Sequence, residues 1–515
     1  MELTDAAQAP RGQRLAIGVA VSLLLAALLP RLVHDLSRVG RATPIDYVEG
    51  WNAYHTARVL KGQRLYRPVR DLPLTPVNYP PLSFLLGAGV AQATGSVVVA
   101  GRLISLVALA AVTTLLFLAV TLWTGSRASG LLAALVWLGL LTRFGGAYVG
   151  SNDPQMLGHA LCALALCLLA AWQSQLTHGR VMALAAACSL ALFVKHLLLA
   201  VPAALAIVLW QRQRRLFPTF ALAGLVCCGL LALVTWLAAG DTLLANLNAF
   251  DRPMDAERMW DEIGALFLDG RLGLALAAVA GVAWLGGAGA PVVVVYLLTS
   301  LAVGAAAVRG IGVDRNAWFD FFQAVALALG LFAASITRLR GAPRAAGPLV
   351  LMGASLLPVV SDFPAGWRES LNFARLAREE AAYLEDVTLL RSLHGPALFE
   401  EPLLGFDAGK DLLFDPFAGS LAIVSGRVAE SVLLDPIRRR DLAAIVLTSP
   451  IEALLPRSRA GAGPDGVPRL RGWWTQNALK AIRENYDPYD PGRRRYGHFY
   501  LPKGRSAGPP GAGGA

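Results

Sequence analysis

Charge is scarce in this chain. Of 515 residues only 16% are charged against 55% hydrophobic, and mean hydropathy is +0.52. Long windows carry no charge at all, which excludes an ordinary soluble protein and leaves a polytopic membrane protein. Cysteine is sparse too. The five present, Cys162, Cys167, Cys188, Cys227 and Cys228, lie in apolar stretches without paired ligand spacing, so neither a disulfide framework nor a zinc site is expected. There is no Walker-type glycine loop, dinucleotide fingerprint, metalloprotease helix motif or solenoid-type repeat, and nothing calls for a soluble nucleotide cofactor.

The net charge of +11 does not mark a nucleic-acid partner. From Phe363 onward 20 basic residues stand against 18 acidic ones, so the excess belongs to the apolar part, where loop topology accounts for it. Arg438-Arg439-Arg440 and Arg493-Arg494-Arg495 are interleaved with acids and read as solvated surface or headgroup contact.

What the chain does have is apolar windows of spanning length. They fall near 15–34, 100–123, 128–145, 155–172, 180–195, 196–211, 217–239, 271–287, 289–308, 320–337 and 346–362, which gives eleven helices. The first follows Arg11 and Arg14 but lacks a small-residue cleavage pattern, so it reads as a retained helix and not a signal peptide. Lys195-His196 interrupts the stretch from 180 to 211 and leaves almost no loop between two crossings. Arginines gather in alternate short loops, at Arg127, at Arg180, at Arg212, Arg214 and Arg215, and at Arg338, Arg340 and Arg344. The positive-inside rule then sets the N-terminus in the cytoplasm of a multi-pass cell-membrane protein, with the C-terminal part outside.

That orientation collects every acidic motif on the outer face. The loop at 35–99 carries Pro44-Ile45-Asp46-Tyr47-Val48-Glu49-Gly50-Trp51, a helix-compatible stretch from Trp51 to Leu60, and the stiff Asn78-Tyr79-Pro80-Pro81-Leu82 leading into Leu82–Val90. A second loop, 240–270, carries Asp251, Asp255, Glu257, Asp261 and Glu262 and is placed to fold over a site. Beyond 362 the spanning signal stops. A helical run from Glu369 to Leu393 and strand-like pieces at 397–399, 443–447 and 496–501 read as a small α/β domain over 363–505, followed by a Gly/Pro/Ala tail, 506–515, of disordered composition.

The order Asp46-Tyr47-Val48-Glu49-Gly50-Trp51, Gly62-Gln63-Arg64-Leu65-Tyr66, Asn78-Tyr79-Pro80-Pro81-Leu82, then Asp153-Pro154, Lys195-His196 and Gly312-Val313-Asp314-Arg315-Asn316 resembles the GT-C membrane glycosyltransferases. Within them the chain is most similar to glycosyltransferase family 39, the branch of protein mannosyltransferases and aminoarabinose transferases, over roughly residues 40–340. The resemblance implies a catalytic transmembrane domain over 1–362. It also implies transfer of a sugar from a polyprenyl-phosphate carrier to a lipid, glycan or protein acceptor at the outer face, commonly with inversion.

Such a reaction needs a carboxylate to take the acceptor's proton and cations to stabilise the departing phosphate. The family's first-loop acid often stands as Asp-Glu before Gly, whereas here Val48-Glu49-Gly50 fills that slot and Asp46 lies two residues upstream of Val48. Both Asp46 and Glu49 are therefore candidates for the base; a helix cap or solvated acid is the plainer reading of either. Asp153 is by resemblance the second outer-loop acid, positioning the donor phosphate or a divalent ion, and equally suits a helix cap with Pro154 in the first turn. Lys195, in otherwise apolar sequence, is a candidate for the carrier phosphate, with snorkelling or pairing to an acid as alternatives; His196 is a weaker companion. Arg315 and Asn316, in a polar turn with Asp314 and Asp320, are candidates for phosphate and for a hydroxyl, and Tyr79 for stacking on a sugar or lying among headgroups. A transporter or lipid flippase is the competing class, yet those place their sites near the bilayer midplane and often show internal repeats.

Overall fold

The computed structural model describes residues 11–504, apart from 250–251, 270–271, 274–280, 311, 337–338, 340–341, 361–364, 456–469, 472 and 490–494. Asp251, Arg338, Arg340, Arg493, Arg494 and the tail 506–515 thus lie outside the described residues. The chain is a polytopic α-helical membrane protein with a small sheet domain at its C-terminal end.

Helix α1 (Arg11–Val39) is followed by two helices inside the first long loop, α2 (Val48–Leu60) and α3 (Leu82–Thr94). Then come α4 (Val97–Thr124), α5 (Arg127–Gly145), α6 (Gln155–Trp172), α7 (His178–Val194), α8 (Ala200–Arg212) and α9 (Phe217–Ala239). Two short helices, α10 (Asp241–Asn248) and α11 (Ala256–Gly264), precede α12 (Ala290–Val308), α13 (Phe319–Ser335) and α14 (Ala342–Val360). Ten of the eleven expected spans coincide with these helices, while 271–287 falls partly outside the described residues, with 281–285 helical. Seven helices among the described residues are long and apolar enough to cross a bilayer unaided. α7, α8 and the stretch Ala346–Val360 are apolar but shorter.

Sequence explains the boundaries. Ser96 and Ser126 accept from the backbone N–H groups of Val99 and Ser129, capping α4 and α5. Between those helices Gly125 takes φ +71°, a left-handed conformation that L side chains resist. α13 is buried over 89% of its most apolar window and stands at the centre of the bundle, carrying Phe319, Phe321 and Phe322 into the main core. α9 is buried over only 11% and turns its leucines outward, as a lipid-facing helix does. The interruption read at Lys195-His196 is a break: α7 stops at Val194, Lys195 is extended, and α8 resumes at Ala200.

After α14 the helix α15 (Phe373–Ser392) leads into β1 (Ala397–Phe399), β2 (Ala444–Leu447), the small ribbon β3 (Leu470–Arg471) and β4 (Trp474–Thr475), then β5 (Tyr486–Tyr489) and β6 (His498–Pro502). The main sheet has the order β1-β2-β6-β5, with β1 and β2 parallel and the other pairs antiparallel. Three of these strands were expected; β5 was not, because Asp487 and Pro488 break an apolar pattern.

This domain shares a core with the first loop. Trp51, Tyr66, Val77 and Phe84 pack with Tyr383, Phe399, Leu404 and Phe499. Leu74 bridges Phe414 in parallel fashion, its N–H donating to the Leu413 carbonyl at 2.7 Å and its own carbonyl accepting from the Asp415 N–H at 2.9 Å. At Gly50 a Cβ would stand 2.0 Å from the Leu403 nitrogen, so only glycine lets α2 approach that backbone. The domain therefore forms one wall of whatever the loop encloses.

Candidate active site

A cavity of about 340 Å³ opens where the helix ends, the first loop and the C-terminal domain meet. Asp46, Tyr79, Asp153, Lys195, His196 and Asn316 all line it, and Glu49 and Arg315 do not. Six of the eight candidate residues are thus gathered from four separate chain segments.

Glu49 is fully buried at the start of α2 and fully satisfied. Its carboxylate accepts from Arg102 Nε at 2.9 Å and a terminal guanidinium nitrogen at 2.8 Å, and from the backbone N–H groups of Ile45 at 2.6 Å and Asn152 at 2.9 Å. Arg102, on α4, also donates to the carbonyls of Val39, Arg41 and Thr43. A bidentate buried pair with its remaining lone pairs occupied is an anchor. It ties α1, α2, α4 and the segment before α6 into one frame, on which Asp46 and Asp153 are mounted.

Asp46 is half-buried and faces the cavity. Burial pushes its pKa up to about 7, the neighbouring charges of Asp153 and Asp314 push the same way, and the Tyr47 N–H opposes them. Asp153 accepts from the Gln155 N–H at 2.6 Å, one residue before the N-cap position of α6, which Pro154 holds, and pairs with Lys195 Nζ at 3.6 Å. Pro154 thus takes the cap position expected of Asp153 and not a place in the first turn, while Asp153 lines the cavity. Lys195 is buried; its Nζ lies 5.0 Å from the Tyr79 ring centre and makes no hydrogen bond. Tyr79 itself meets Trp51 edge-on at 5.3 Å. His196 is exposed to the cavity, and Arg315 is exposed outside it. Asn316 donates to Gln155 Oε1 at 3.3 Å.

Several lining residues escaped the sequence reading. Arg252 and Arg258 come from the 240–270 loop, where acids are the more visible feature of the sequence. Arg252 lies over the Phe417 ring at 5.2 Å, and Arg258 donates to the carbonyls of Gly310 and Val313. Asp255 caps α11 by accepting from the Glu257 N–H, which sets Arg258 in the first turn facing the site. From the C-terminal domain come Asp415, Phe417 and Trp473. Tyr47 fixes that wall, donating its hydroxyl to Asp415 at 2.6 Å and stacking on Trp473 at 5.7 Å. No local pattern announces residues supplied from more than 350 positions away.

Among the described residues no group of three His, Cys, Asp or Glu side chains stands close enough to hold a metal ion. Asp153 is engaged by Lys195, and Asp314 accepts from Tyr148. The donor set among the described residues does not fit a divalent ion.

No protein-family model and no curated protein sequence matches the chain. Solved structures do. ArnT from Cupriavidus metallidurans, bound to undecaprenyl phosphate, superposes with a TM-score of 0.55 at 13% identity, over 94% of this chain and 97% of that one. The same protein in its apo state gives 0.55 at 14%. The Archaeoglobus fulgidus oligosaccharyltransferase, in complex with Zn and sulfate, gives 0.52 at 11% identity, over 93% of this chain and 73% of that one. The chain carries the GT-C fold. At such identities the GT-C likeness is one of architecture, and the roles of individual side chains have to be argued from this site.

Proposed function

We propose that this protein is an integral-membrane glycosyltransferase that moves a sugar from a polyprenyl-phosphate carrier to an acceptor hydroxyl at the outer membrane face. The observation that carries this reading is one cavity lined both by Asp46, a carboxylate with its pKa raised to about 7, and by Lys195, a buried ammonium paired with Asp153 at 3.6 Å. A buried cation whose carboxylate partner stands beyond hydrogen-bond distance favours a further anionic ligand. The GT-C neighbour bound to undecaprenyl phosphate supports a lipid phosphate as that anion.

In the proposed reaction Asp46 takes the proton of the acceptor hydroxyl as its oxygen bonds to the anomeric carbon. The bond from that carbon to the carrier phosphate breaks, and the electron pair leaves with the phosphate. Lys195, Arg252 and Arg258 line the cavity where that charge gathers, and stabilising a leaving anion in a poorly solvated site is worth far more than in water. A carboxylate titrating near neutrality is well matched to proton abstraction. Tyr79, Phe417 and Trp473 offer ring faces for a sugar. Glu49 serves as the anchor and not the base.

The test is reconstitution in liposomes with polyprenyl-phosphate sugars and analysis of the products by mass spectrometry. Sugar transfer with release of polyprenyl phosphate is expected. Movement of intact lipid-linked sugar across the bilayer without transfer would replace this reading with a flippase, which the break between α7 and α8 would then serve.

A further inference from the structure

A second cavity, of about 630 Å³, lies at the opposite end of the bundle from the candidate active site. α6 begins two residues after Asp153, at the first cavity, and ends one residue before Gln173, at the second. Its 18 residues separate the two by about 27 Å. The floor of the second cavity is apolar and buried, made by Trp123 of α4, Leu169 of α6, Leu205 of α8 and Val292 of α12. Its wall is closely built where α12 begins, since a Cβ on Gly289 would stand 2.6 Å from the Trp123 ring. At the mouth Gln173, Ser174, Arg212 and Gln213 are half-buried or exposed, and none of these four side chains makes a hydrogen bond or ion pair among the described residues.

The charge around that mouth has one sign. The connections at 125–127, 173–180 and 211–216 carry Arg127, Arg180, Arg212, Arg214 and Arg215 and contain no Asp or Glu. Arg180 lies over the Trp172 ring at 5.6 Å and donates to the Gln175 carbonyl, and Arg214 lies over Trp210 at 5.7 Å. Arg212 is the one charged residue in the cavity lining. An apolar cleft under a cationic mouth fits an amphiphile: the floor suits methylene groups, and the guanidinium suits a phosphate. The same physics lets basic pockets between spanning helices hold anionic lipid headgroups. A small soluble anion would leave the floor unused, and a zwitterionic head would bring a cation that no carboxylate in these connections can meet. The volume falls in the range of ligand sites, about 300–1,000 Å³.

We propose that this cavity binds one anionic phospholipid from the leaflet opposite the active site, with Arg212 on its phosphate and an acyl chain held among α4, α6, α8 and α12. The site is separate from the transfer reaction and stands whether or not that reaction does.

Native mass spectrometry of the full-length protein in detergent tests it, by counting the lipid retained as phosphatidylglycerol is titrated in. One tightly held phosphatidylglycerol is expected, with phosphatidylcholine retained more weakly and glycerol 3-phosphate, a head without chains, unable to displace it. Arg212→Gln should weaken that binding by about 10-fold or more, the scale of a hydrogen bond between charged groups. Arg214→Gln removes the same charge from the same connection but outside the cavity, and should leave the binding nearly unchanged. Ser174→Trp keeps every arginine and fills the mouth, and should abolish it. A ligand that binds only the folded state also raises the melting temperature, so phosphatidylglycerol should stabilise the wild type and Arg214→Gln but not Arg212→Gln. Equal losses in the two arginine variants would mean diffuse attraction between headgroups and a basic surface, and would overturn the site. Displacement by glycerol 3-phosphate would make it a site for a soluble anion, and undiminished binding in Ser174→Trp would put the lipid outside the cavity; either result overturns the proposal.

Discussion

Asp46 and Glu49 are three residues apart in one loop, and their surroundings could hardly differ more. Glu49 has four hydrogen bonds, two of them from a bidentate arginine, with no surface exposed. Asp46 has a cavity in front of it and like charges beside it, and its pKa rises to about 7. The contrast separates two uses of a carboxylate in a poorly solvated place. One is stabilised and holds a frame; the other is kept poorly stabilised and is available to a proton.

The largest expected effect breaks the frame. Glu49→Gln leaves Arg102 buried without its counter-charge, which costs about 3–5 kcal/mol. We expect the variant to be depleted from the membrane and to melt at clearly lower temperature, as quantified by immunoblot and by thermal unfolding in detergent. Normal levels with selective loss of turnover would instead return Glu49 to candidacy as the base.

Next is Lys195→Met. Removing a charge-assisted contact to a phosphate should weaken donor binding by about 10–100-fold, read as KM for the lipid-linked sugar, and leaving Asp153 buried without its counter-charge should also lower the melting temperature. Equal donor affinity in wild type and variant would make the Lys195–Asp153 pair purely structural.

A smaller effect sharpens the contrast through pH. A base must be ionised, so kcat/KM should climb with pH and level off above about 7, where Asp46 has lost its proton. Asp314→Asn removes one of the charges that raise that pKa and should move the climb to lower pH. An unmoved profile would assign it to another group. The same shift has a stability sign. A carboxylate with a raised folded pKa binds protons more tightly in the native state, so stability falls as pH rises from about 4 to about 7. Asp46→Asn removes that penalty and should melt no lower than wild type at pH 8.

The smallest perturbation tests sidedness. In a cysteine-free background, Lys61→Cys and Asp411→Cys should react with an impermeant thiol reagent on intact cells, and Arg214→Cys only after lysis. The reverse pattern would put the cavity on the cytoplasmic face.

Much of this architecture was legible in the sequence because apolar windows and alternating strands are local signals. The helices at 100–123 and 155–172, the strand at 397–399 and the break at Lys195 are read directly from composition. The different surroundings of Asp46 and Glu49 were not legible, since they depend on Arg102, 53 residues from Glu49. Arg102 stands in an apolar span, where an ionised side chain at membrane depth is as costly as at Lys195. Arg258 and Trp473 had no such signal. They reach the cavity through the fold of α11 and of a domain far along the chain, and no spacing encodes that.

The central claim is that Asp46 is the base, and turnover of Asp46→Asn by purified protein in liposomes tests it most directly. With melting temperature and donor KM near the wild-type values, turnover should fall by about 10²–10⁴-fold. A folded Asp46→Asn protein that still transfers sugar within a few-fold of the wild-type rate would contradict the account and leave Asp153 as the next carboxylate to examine.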